Sequence, residues 1–345
     1  TEAMKSIIVE ILAENTSFAA PSVAVSAYNN LGYRNDLYYA LFRPAEGDRW
    51  VGNVKRYKLT RDGNGDSLIV DRDGNPAVDP QTGFFRDTAR SFWSSSTDGK
   101  DVAKGGVAEN LPASRTVYTW TGNDRTPTAN AGVTGAATLA SLADTQQLTN
   151  AMLGAANNTE RSNFIKWGQG LDPQTNTRRQ QVADILHNEP KLVAYRTDEN
   201  LARVTNAEKP TNDPTYDPVL GSSLEQLYLF FSSNEGFIHA VDASTGVEKF
   251  AFIPKELLPN LGAYYKDAKG GAKTYGMDGQ IKLWVEYGPL DADNQTRSLS
   301  KAFLYAGMRR GGRNYYALDV ANLDAPKLKW AIKGGVTPGF DALGQ

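Results

Sequence analysis

The chain has 345 residues, a length that suits one large β domain with a satellite, or two or three ordinary domains. Its formal net charge of −2 and its 22% content of charged residues lack the basic balance of nucleic-acid-binding domains, so we expect no nucleic-acid partner. No run of about 18 apolar residues predicts a transmembrane segment. The absence of cysteine excludes disulfides, thiolate metal sites and a cysteine nucleophile.

The first part of the chain, residues 1–180, predicts a mixed α/β region. Periodic apolar positions predict a helix at 3–13, and β-like runs follow at 22–28, 36–42, 50–59 and 67–70. Further along, the pattern predicts a short helix at 87–93, a strand at 115–121, and helical segments at 136–155 and 163–167.

The second part, residues 181–345, predicts strands at 191–195, 226–232, 236–242 and 248–253. The stretch Leu227–Ile253 returns in related form at Ala302–Ile332, with His239–Asp242 aligned on Tyr316–Asp319. A unit that recurs in this way stacks on copies of itself, and four-stranded blades are the all-β solution that we favour. The predicted fold class is therefore mainly β: a partial or modified β-propeller with incomplete, quinoprotein-like blades, preceded by the mixed α/β region.

An oxygen-rich loop carries the strongest local pattern for a metal. Asp71, Asp73, Asn75 and Asp79 place oxygen-bearing side chains at positions 1, 3, 5 and 9, and Ala77 offers its backbone carbonyl at position 7. Calcium takes six to eight oxygen ligands, and this spacing is that of an EF-hand-type loop, although the usual acid at position 12 is missing. These residues therefore predict a calcium site.

A second candidate for calcium lies just before it, formed by Asp62, Asn64 and Asp66 with Asp71 nine positions after the first of them. An alternative explains both stretches without any metal. Asp-Gly and Gly-Asn are also the commonest chemistry of hairpin turns, in which an Asp side chain accepts hydrogen bonds from its own turn. The two calcium sites and the two plain turns all remain open from the sequence.

The chain contains only two histidines, His187 and His239, and each lies beside apolar residues in a strand-like motif. We expect buried, hydrogen-bonded structural roles for both, rather than catalysis or metal binding. The spacing leaves a Ser-His-Asp triad open, but no Gly-x-Ser-x-Gly elbow is present, and we expect no enzymatic activity. The tryptophans that flank β-like runs are predicted to pack in the core or between blades, with exposed adhesive rings as the alternative: Trp50, Trp93, Trp120 and Trp330.

A set of short phrases then follows in a characteristic order. They are Ser17–Val25, Leu41–Pro44, Trp50–Tyr57, Ser91–Ser94, Asp98–Gly106, Arg115–Thr119, Asp184–Pro190, Ser233–Asp242 and Gly311–Asp319. In this order the sequence resembles the C-terminal half of the type IV pilus tip-associated adhesin family (PilC/PilY). The chain departs from the family pattern at Ala183 and Asn188, where the family has Gly and Ser. We expect it to be a piece of a longer protein that stops before the family's last blades, where the family's best-known calcium loop lies.

The resemblance implies a calcium-dependent, non-enzymatic adhesin and assembly factor. Such a protein sits at the pilus tip on minor pilins, binds a host-cell or surface receptor, and supports pilus extension, retraction and twitching motility. It implies an extracellular location on the cell surface, with the periplasm or outer membrane crossed in transit.

Two alternatives remain. A quinoprotein dehydrogenase has similar blades, and Asn234–Phe250 is close to their repeat, but here the vicinal cysteine pair is missing and the repeats are few and irregular. An outer-membrane assembly-scaffold propeller would differ only in its partner.

Overall fold

The computed structural model describes residues 35–122, 136–143, 147–207, 209, 215–220 and 222–343, and the backbone of 18–23. The predicted helix at 3–13 lies outside the described residues, as does most of the predicted strand at 22–28. No helix within the described ranges is long and apolar enough to cross a membrane.

An antiparallel sheet, which we call the first sheet, opens the described part of the chain. Its strands lie in the order β1 (Phe18–Val23), β2 (Asp36–Arg43), β3 (Val51–Arg61) and β4 (Ser67–Val70). The predictions of strands at 36–42, 50–59 and 67–70 are confirmed. Successive residues of a strand point to opposite faces, and both faces of β2 are buried: Tyr38 and Ala40 on one, Leu37, Tyr39 and Leu41 on the other.

Short elements connect this sheet to the rest of the molecule. They are α1 (Gly106–Asn110), β5 (Val117–Thr119), β6 (Ala137–Thr138), β7 (Ala140–Ser141), α2 (Asn150–Leu153), α3 (Asn158–Gly168) and β8 (Val182–Ala183). The predicted strand at 115–121 and helix at 163–167 are confirmed. The predicted helix at 136–155 is wrong over most of its described length, because β6 pairs with a later strand and β7 pairs with β5.

The predicted helix at 87–93 is also wrong, because this stretch forms turns. Two buried carboxylates capture the amides that a helix would use. Asp71 accepts from the amide of Arg90 at 3.1 Å, and Asp98 accepts from the amide of Ser91 at 2.8 Å. Side-chain acceptors of this kind compete with helical hydrogen bonding.

Two antiparallel meanders make up the described part of the chain after residue 190. The first meander comprises β9 (Lys191–Asp198), β10 (Gln226–Ser232), β11 (Ile238–Asp242) and β12 (Glu248–Phe252), with α4 (Leu201–Ala207) between β9 and β10. The second meander comprises β13 (Ile281–Leu290), β14 (Thr296–Gly307), β15 (Tyr315–Asp319) and β16 (Lys327–Ile332), and α5 (Asn260–Lys266) lies between the two meanders.

The meanders confirm a mainly β, propeller-like fold. The predicted repeat is structural, since Ala240 pairs with Phe230 and Phe250 as Ala317 pairs with Tyr305 and Trp330. The boundary near residue 180 stays a prediction: β8, just after it, pairs with β3 of the first sheet.

Two apolar cores join these units: one lies between the first sheet and the first meander, and the other between the first and second meanders. One face of the first meander, with Phe231 and Val241, shares a core with Tyr38 and Val54 of the first sheet. Its other face, with Phe230, Ala240 and Phe250, shares a core with Leu304 and Leu318 of the second meander, joined by residues of α3 and α5. The first meander therefore packs against the first sheet on one face and against the second meander on the other, and β9 also pairs with β14, so the two meanders belong to one continuous sheet.

Candidate functional site

The carboxylate that opens the first predicted calcium loop is engaged within its own turn. Asp71 is buried, and its Oδ1 accepts from the amides of Asp73 and Asn75 at 3.0 and 2.9 Å. Its Oδ2 accepts from the amide of Arg90. The carboxylate of Asp73 is half-exposed and lies 3.6 Å from the guanidinium of Arg90.

The other predicted ligands face different partners. Asp79 accepts from the amides of its own turn at 2.8 and 3.1 Å, which lowers the pKa of this exposed carboxyl. The carbonyl of Ala77 accepts from the amide of Arg86 at 2.9 Å. In the second candidate, Asp62 accepts from the amides of Asn64 and Asp66 at 2.8 and 2.9 Å.

The loops therefore have the geometry of side-chain-capped turns. Within the described residues, no group of three or more His, Cys, Asp or Glu side chains is placed to hold a metal ion. In this conformation the residues present do not fit calcium, because Asp71 and Asp79 cap separate turns, Asp73 faces Arg90, and the side chains do not converge on one position. Calcium binding at 71–79 or at 62–71 stays a prediction.

A buried Ser-His-Glu arrangement lies inside the first meander. The hydroxyl of Ser233 is 3.0 Å from Nε2 of His239, and Nδ1 of His239 is 2.7 Å from Oε1 of Glu248. These are the contacts of a nucleophile, a base and an orienting acid. However, Ser233, His239 and Glu248 are 1%, 2% and 3% exposed, so a substrate has no access to the hydroxyl.

Glu248 also forms a buried ion pair that a triad acid does not require. The guanidinium of Arg115 donates through Nε and Nη2 to its two carboxylate oxygens at 2.6 and 2.9 Å. Burial alone would raise the pKa of Glu248, but Arg115 and His239 lower it to about 2. Burial lowers the pKa of His239, which keeps the ring neutral. The arrangement braces β11 and β12 against β5, and the structural role predicted for His239 is confirmed.

His187 belongs to a second polar network, where parts of all three β layers meet. Its Nδ1 lies 2.9 Å from the buried carboxylate of Asp278, and Asn234 donates to Asp278 and to Asp184. Lys273 pairs with Asp184 at 2.8 Å. Burial raises the pKa of Asp184, and Lys273 partly offsets this. The His187 side chain is 27% exposed, so the prediction of a hydrogen-bonded structural role holds while the prediction of full burial is wrong.

A cleft separates the first sheet from the turn between β11 and β12, and we call it the junction groove. One lobe has a volume of about 480 Å³ and is lined by Arg56, Arg72, Phe92, Trp93, Ser94, Ser95, Glu109, Asn110, Ser244 and Thr245. The other has about 380 Å³ and is lined by Asp36, Tyr38, Arg56, Ser223, Glu225, Gln226, Leu227, Tyr228, Asp242, Ala243 and Ser244. Arg56 and Ser244 line both lobes, so the two lobes adjoin each other.

An array of rings covers one side of the second meander, and we call it the aromatic face: Trp284, Phe303, Tyr305, Tyr315 and Trp330. Trp284 and Tyr315 are 46% and 45% exposed, and the other three rings are half-buried. Trp284 stacks on Phe303 with ring centroids 5.4 Å apart, and Lys329 lies 4.2 Å over Phe303.

The predicted packing roles of the tryptophans divide between core and surface. Core packing is confirmed for Trp93, and the half-buried Trp120 packs against the core between the two meanders, while Trp50 and Trp330 are half-buried.

No family model and no solved structure matches the chain. Among curated proteins, the "Type IV pilus biogenesis factor PilY1" of Pseudomonas aeruginosa strain UCBPP-PA14 is 25% identical over 338 residues, which covers 95% of this chain and 25% of that protein. The PilY1 homolog of Xylella fastidiosa is 32% identical over 102 residues, covering 30% of this chain and 8% of that protein. PilY1 of P. aeruginosa strain PAK is 26% identical over half of this chain and 14% of that protein.

The chain is similar to PilY1 proteins over most of its length. It spans about a quarter of the length of the first of these relatives. All three relatives are named type IV pilus biogenesis factors or homologs of one.

Two separate segments of the chain, β3 and the loop at 98–101, meet at one buried lysine. The ammonium of Lys55, on β3, donates to the carbonyls of Asp98, Gly99 and Asp101 at 3.2, 3.1 and 2.8 Å. It also pairs with the Asp98 carboxylate at 2.9 Å. Burial lowers the pKa of Lys55, and Asp98 opposes this. This contact was not foreseen from the sequence, because Lys55 is one of several polar residues in β3; the loop rich in glycine and aspartate at 98–106 was its only local signal.

Proposed function

We propose that the chain is the partner-binding part of a non-enzymatic adhesin and assembly factor at the tip of a type IV pilus. Its partners would be minor pilins and a host-cell or surface receptor, and it would support pilus extension and retraction from an extracellular position. The similarity to PilY1 proteins supports the link to the pilus. Regulation by calcium rests on the family resemblance alone, since the predicted loops do not fit the ion.

The aromatic face is the observation that carries a binding role. In the first meander, the positions equivalent to Tyr305 and Trp330 are Phe230 and Phe250, which are fully buried in the core shared with the second meander. In the second meander the rings at these positions stay half-exposed. Aromatic side chains are enriched at protein interfaces, where burial of a large ring contributes on the order of 2 kcal/mol. We therefore propose that a minor pilin covers this face.

Charge around the rings favours a protein partner with acidic groups near its contact surface. Lys329 lies over Phe303, and Lys282 stands directly across from Tyr305 in the β13–β14 pairing. Complementary charges at the rim of an interface increase the association rate and select the orientation of the partner.

Co-purification tests this proposal. The tagged chain is incubated with minor pilins from the same source, beside Trp284→Arg and the control Phe84→Arg. Phe84 is 54% exposed on a turn of the N-terminal region, which matches the exposure of Trp284 without belonging to the aromatic face.

Wild type and Phe84→Arg should retain pilins, while Trp284→Arg should retain about tenfold less, the effect of losing an interface anchor worth about 1.4 kcal/mol or more. Equal melting temperatures would show that both variants fold. Failure of the wild type to retain any minor pilin would sink the proposed partner. Equal retention by both variants would exclude the aromatic face as the contact.

A further inference from the structure

The walls of the junction groove are fixed against each other. The indole Nε1 of Trp93 donates to the carbonyl of Ala243 at 3.2 Å, and Arg56 donates to the same carbonyl at 3.4 Å. Gly246, with φ of 76°, packs so closely that an added Cβ would lie 2.7 Å from the Trp93 ring. A cleft built in this way needs little ordering when it binds, which favours affinity.

One lobe of the groove presents cations and hydroxyls. Arg56 lies 5.4 Å over the ring of Phe92, and Arg72 is exposed, with its Nη1 donating to the carbonyl of Ser94 at 3.3 Å. The lobe's carboxylate, Glu109, accepts from the backbone of Ser95 at 3.2 Å. Guanidinium groups match the geometry of a carboxylate, with which they form charge-assisted hydrogen bonds. We call this the basic lobe.

The other lobe has the opposite charge. It is lined by three carboxylates, Asp36, Glu225 and Asp242, beside the ring of Tyr228. Asp36 pairs with Arg56 at 2.7 Å, and Asp242 caps the turn that follows it. Glu225 is half-buried and accepts from the hydroxyl of Ser223 at 3.1 Å. We call this the acidic lobe, and the sign of the charge changes at the Arg56–Asp36 pair.

We propose that the junction groove binds an extended peptide segment of a partner protein, with an acidic residue in the basic lobe and a basic residue in the acidic lobe. A phosphate ion or an acidic sugar would match only one lobe, whereas a peptide with both signs of charge matches both. The proposal deepens the binding role proposed above and rests on it for the source of the peptide. It adds a second contact: the groove lies between the first sheet and the first meander, whereas the aromatic face lies on the second meander.

Binding of synthetic peptides tests the groove directly. The probes are fluorescein-labelled peptides with one Glu and one Lys separated by Gly/Ser spacers of varied length, together with counterparts in which Gln replaces Glu, Lys or both. Fluorescence anisotropy measures the affinity of each for wild type, Arg72→Gln and Glu225→Gln. Arg86→Gln is the matched control, because Arg86 is an exposed arginine of the same region outside the groove.

The best Glu/Lys peptide should bind wild type more tightly than its uncharged counterpart. Arg72→Gln should weaken it about tenfold, in line with the loss of a charge-assisted hydrogen bond, and should leave the peptide lacking Glu unaffected. Glu225→Gln should likewise weaken binding of the Glu/Lys peptide about tenfold and should leave the peptide lacking Lys unaffected. Such cycles isolate the pairwise interaction from general effects of each substitution.

The proposal is overturned if no Glu/Lys peptide binds better than its uncharged counterpart, or if Arg72→Gln has no more effect than Arg86→Gln. It is also overturned if inorganic phosphate displaces the peptide completely at equal concentration, which would indicate a simple anion site. Retention of minor pilins, measured on the same samples, separates the two proposals. Pilin retention without peptide binding refutes the groove alone, and peptide binding without pilin retention refutes the pilin partner alone.

Discussion

Replacement of Glu248 by glutamine should be among the most destabilising conservative changes in the chain. The substitution keeps the shape of the side chain but removes the charge that neutralises Arg115, whose side chain is 2% exposed. It also replaces one of the two carboxylate oxygens, which face Arg115 and His239, with an amide NH₂ group that cannot accept a hydrogen bond. Breaking a buried ion pair by removing one partner costs about 3–5 kcal/mol, because the other charge stays buried without compensation.

The pH dependence of stability gives a second signature of the same group. The folded-state pKa of Glu248 is about 2, against about 4.3 in an unfolded chain. Because the folded pKa is depressed, the stabilisation is fully present above pH 4.3 and is lost as pH falls toward 2. A difference of roughly two pKa units corresponds to about 3 kcal/mol. This part of the acid sensitivity should be absent from Glu248→Gln.

Urea unfolding between pH 7 and pH 2 measures both effects. The matched control is Glu286→Gln, because Glu286 forms an exposed ion pair with Lys301 at 2.9 Å, which is worth at most about 1 kcal/mol. If Glu248→Gln loses no more stability at pH 7 than Glu286→Gln, the inferred role of the buried pair is refuted. An unchanged pH profile below pH 5 would refute the assignment of acid sensitivity to Glu248.

Three further predictions concern the N-terminal region and its contact with the first meander. Lys55→Met leaves a buried carboxylate unpaired and should lower the free energy of unfolding by about 3–5 kcal/mol in urea titrations; a loss below 1 kcal/mol would contradict this. Gly246→Ala must push a methyl group into the Trp93 ring and should lower the melting temperature more than Gly270→Ala, where an added Cβ meets nothing within 4 Å and φ is similarly positive at 81°; equal losses would mean that backbone strain alone matters. Calorimetric calcium titrations of wild type and Asp73→Ala should give the same heats, because Asp71 and Asp79 cap separate turns while the Asp73 carboxylate faces Arg90; a heat lost in the variant would establish a site in 71–79.

Strands with regular alternation were predictable from the sequence. The strands of the first meander and the equivalence of Ala240 and Ala317 follow from the repeated pattern of apolar residues and turns, and the structure confirms them. Local residues determine such elements, because alternate side chains must face a core on each side.

Elements that depend on distant partners were not predictable. Residues 137–141 have good helix formers around them, yet they form strands because β5 and β16 offer unpaired edges. The same limit applies to the buried ion pair. The burial of His239 was expected from its apolar neighbours, but its partner Glu248 binds Arg115, which lies 133 residues away in sequence. A single sequence gives no sign of such a pairing.

The two proposed binding surfaces were predictable from the sequence only in part. The sequence indicated Trp330 as a packing residue and left exposed aromatics as the alternative, but its half-exposed position depends on which face of the second meander is covered. The junction groove was not foreseen, because Arg56, Phe92 and Ser244 come together only when the first sheet packs on the first meander.

The central claim is that this chain serves type IV pilus biogenesis through binding. The most direct test is to replace the natural gene in its source organism with one encoding Trp284→Arg, beside Phe84→Arg, and to count surface pili and measure twitching by microscopy. We expect fewer pili and reduced twitching in Trp284→Arg, with a normal level of the protein and normal pili in Phe84→Arg. Normal piliation after deletion of the whole gene would contradict the claim.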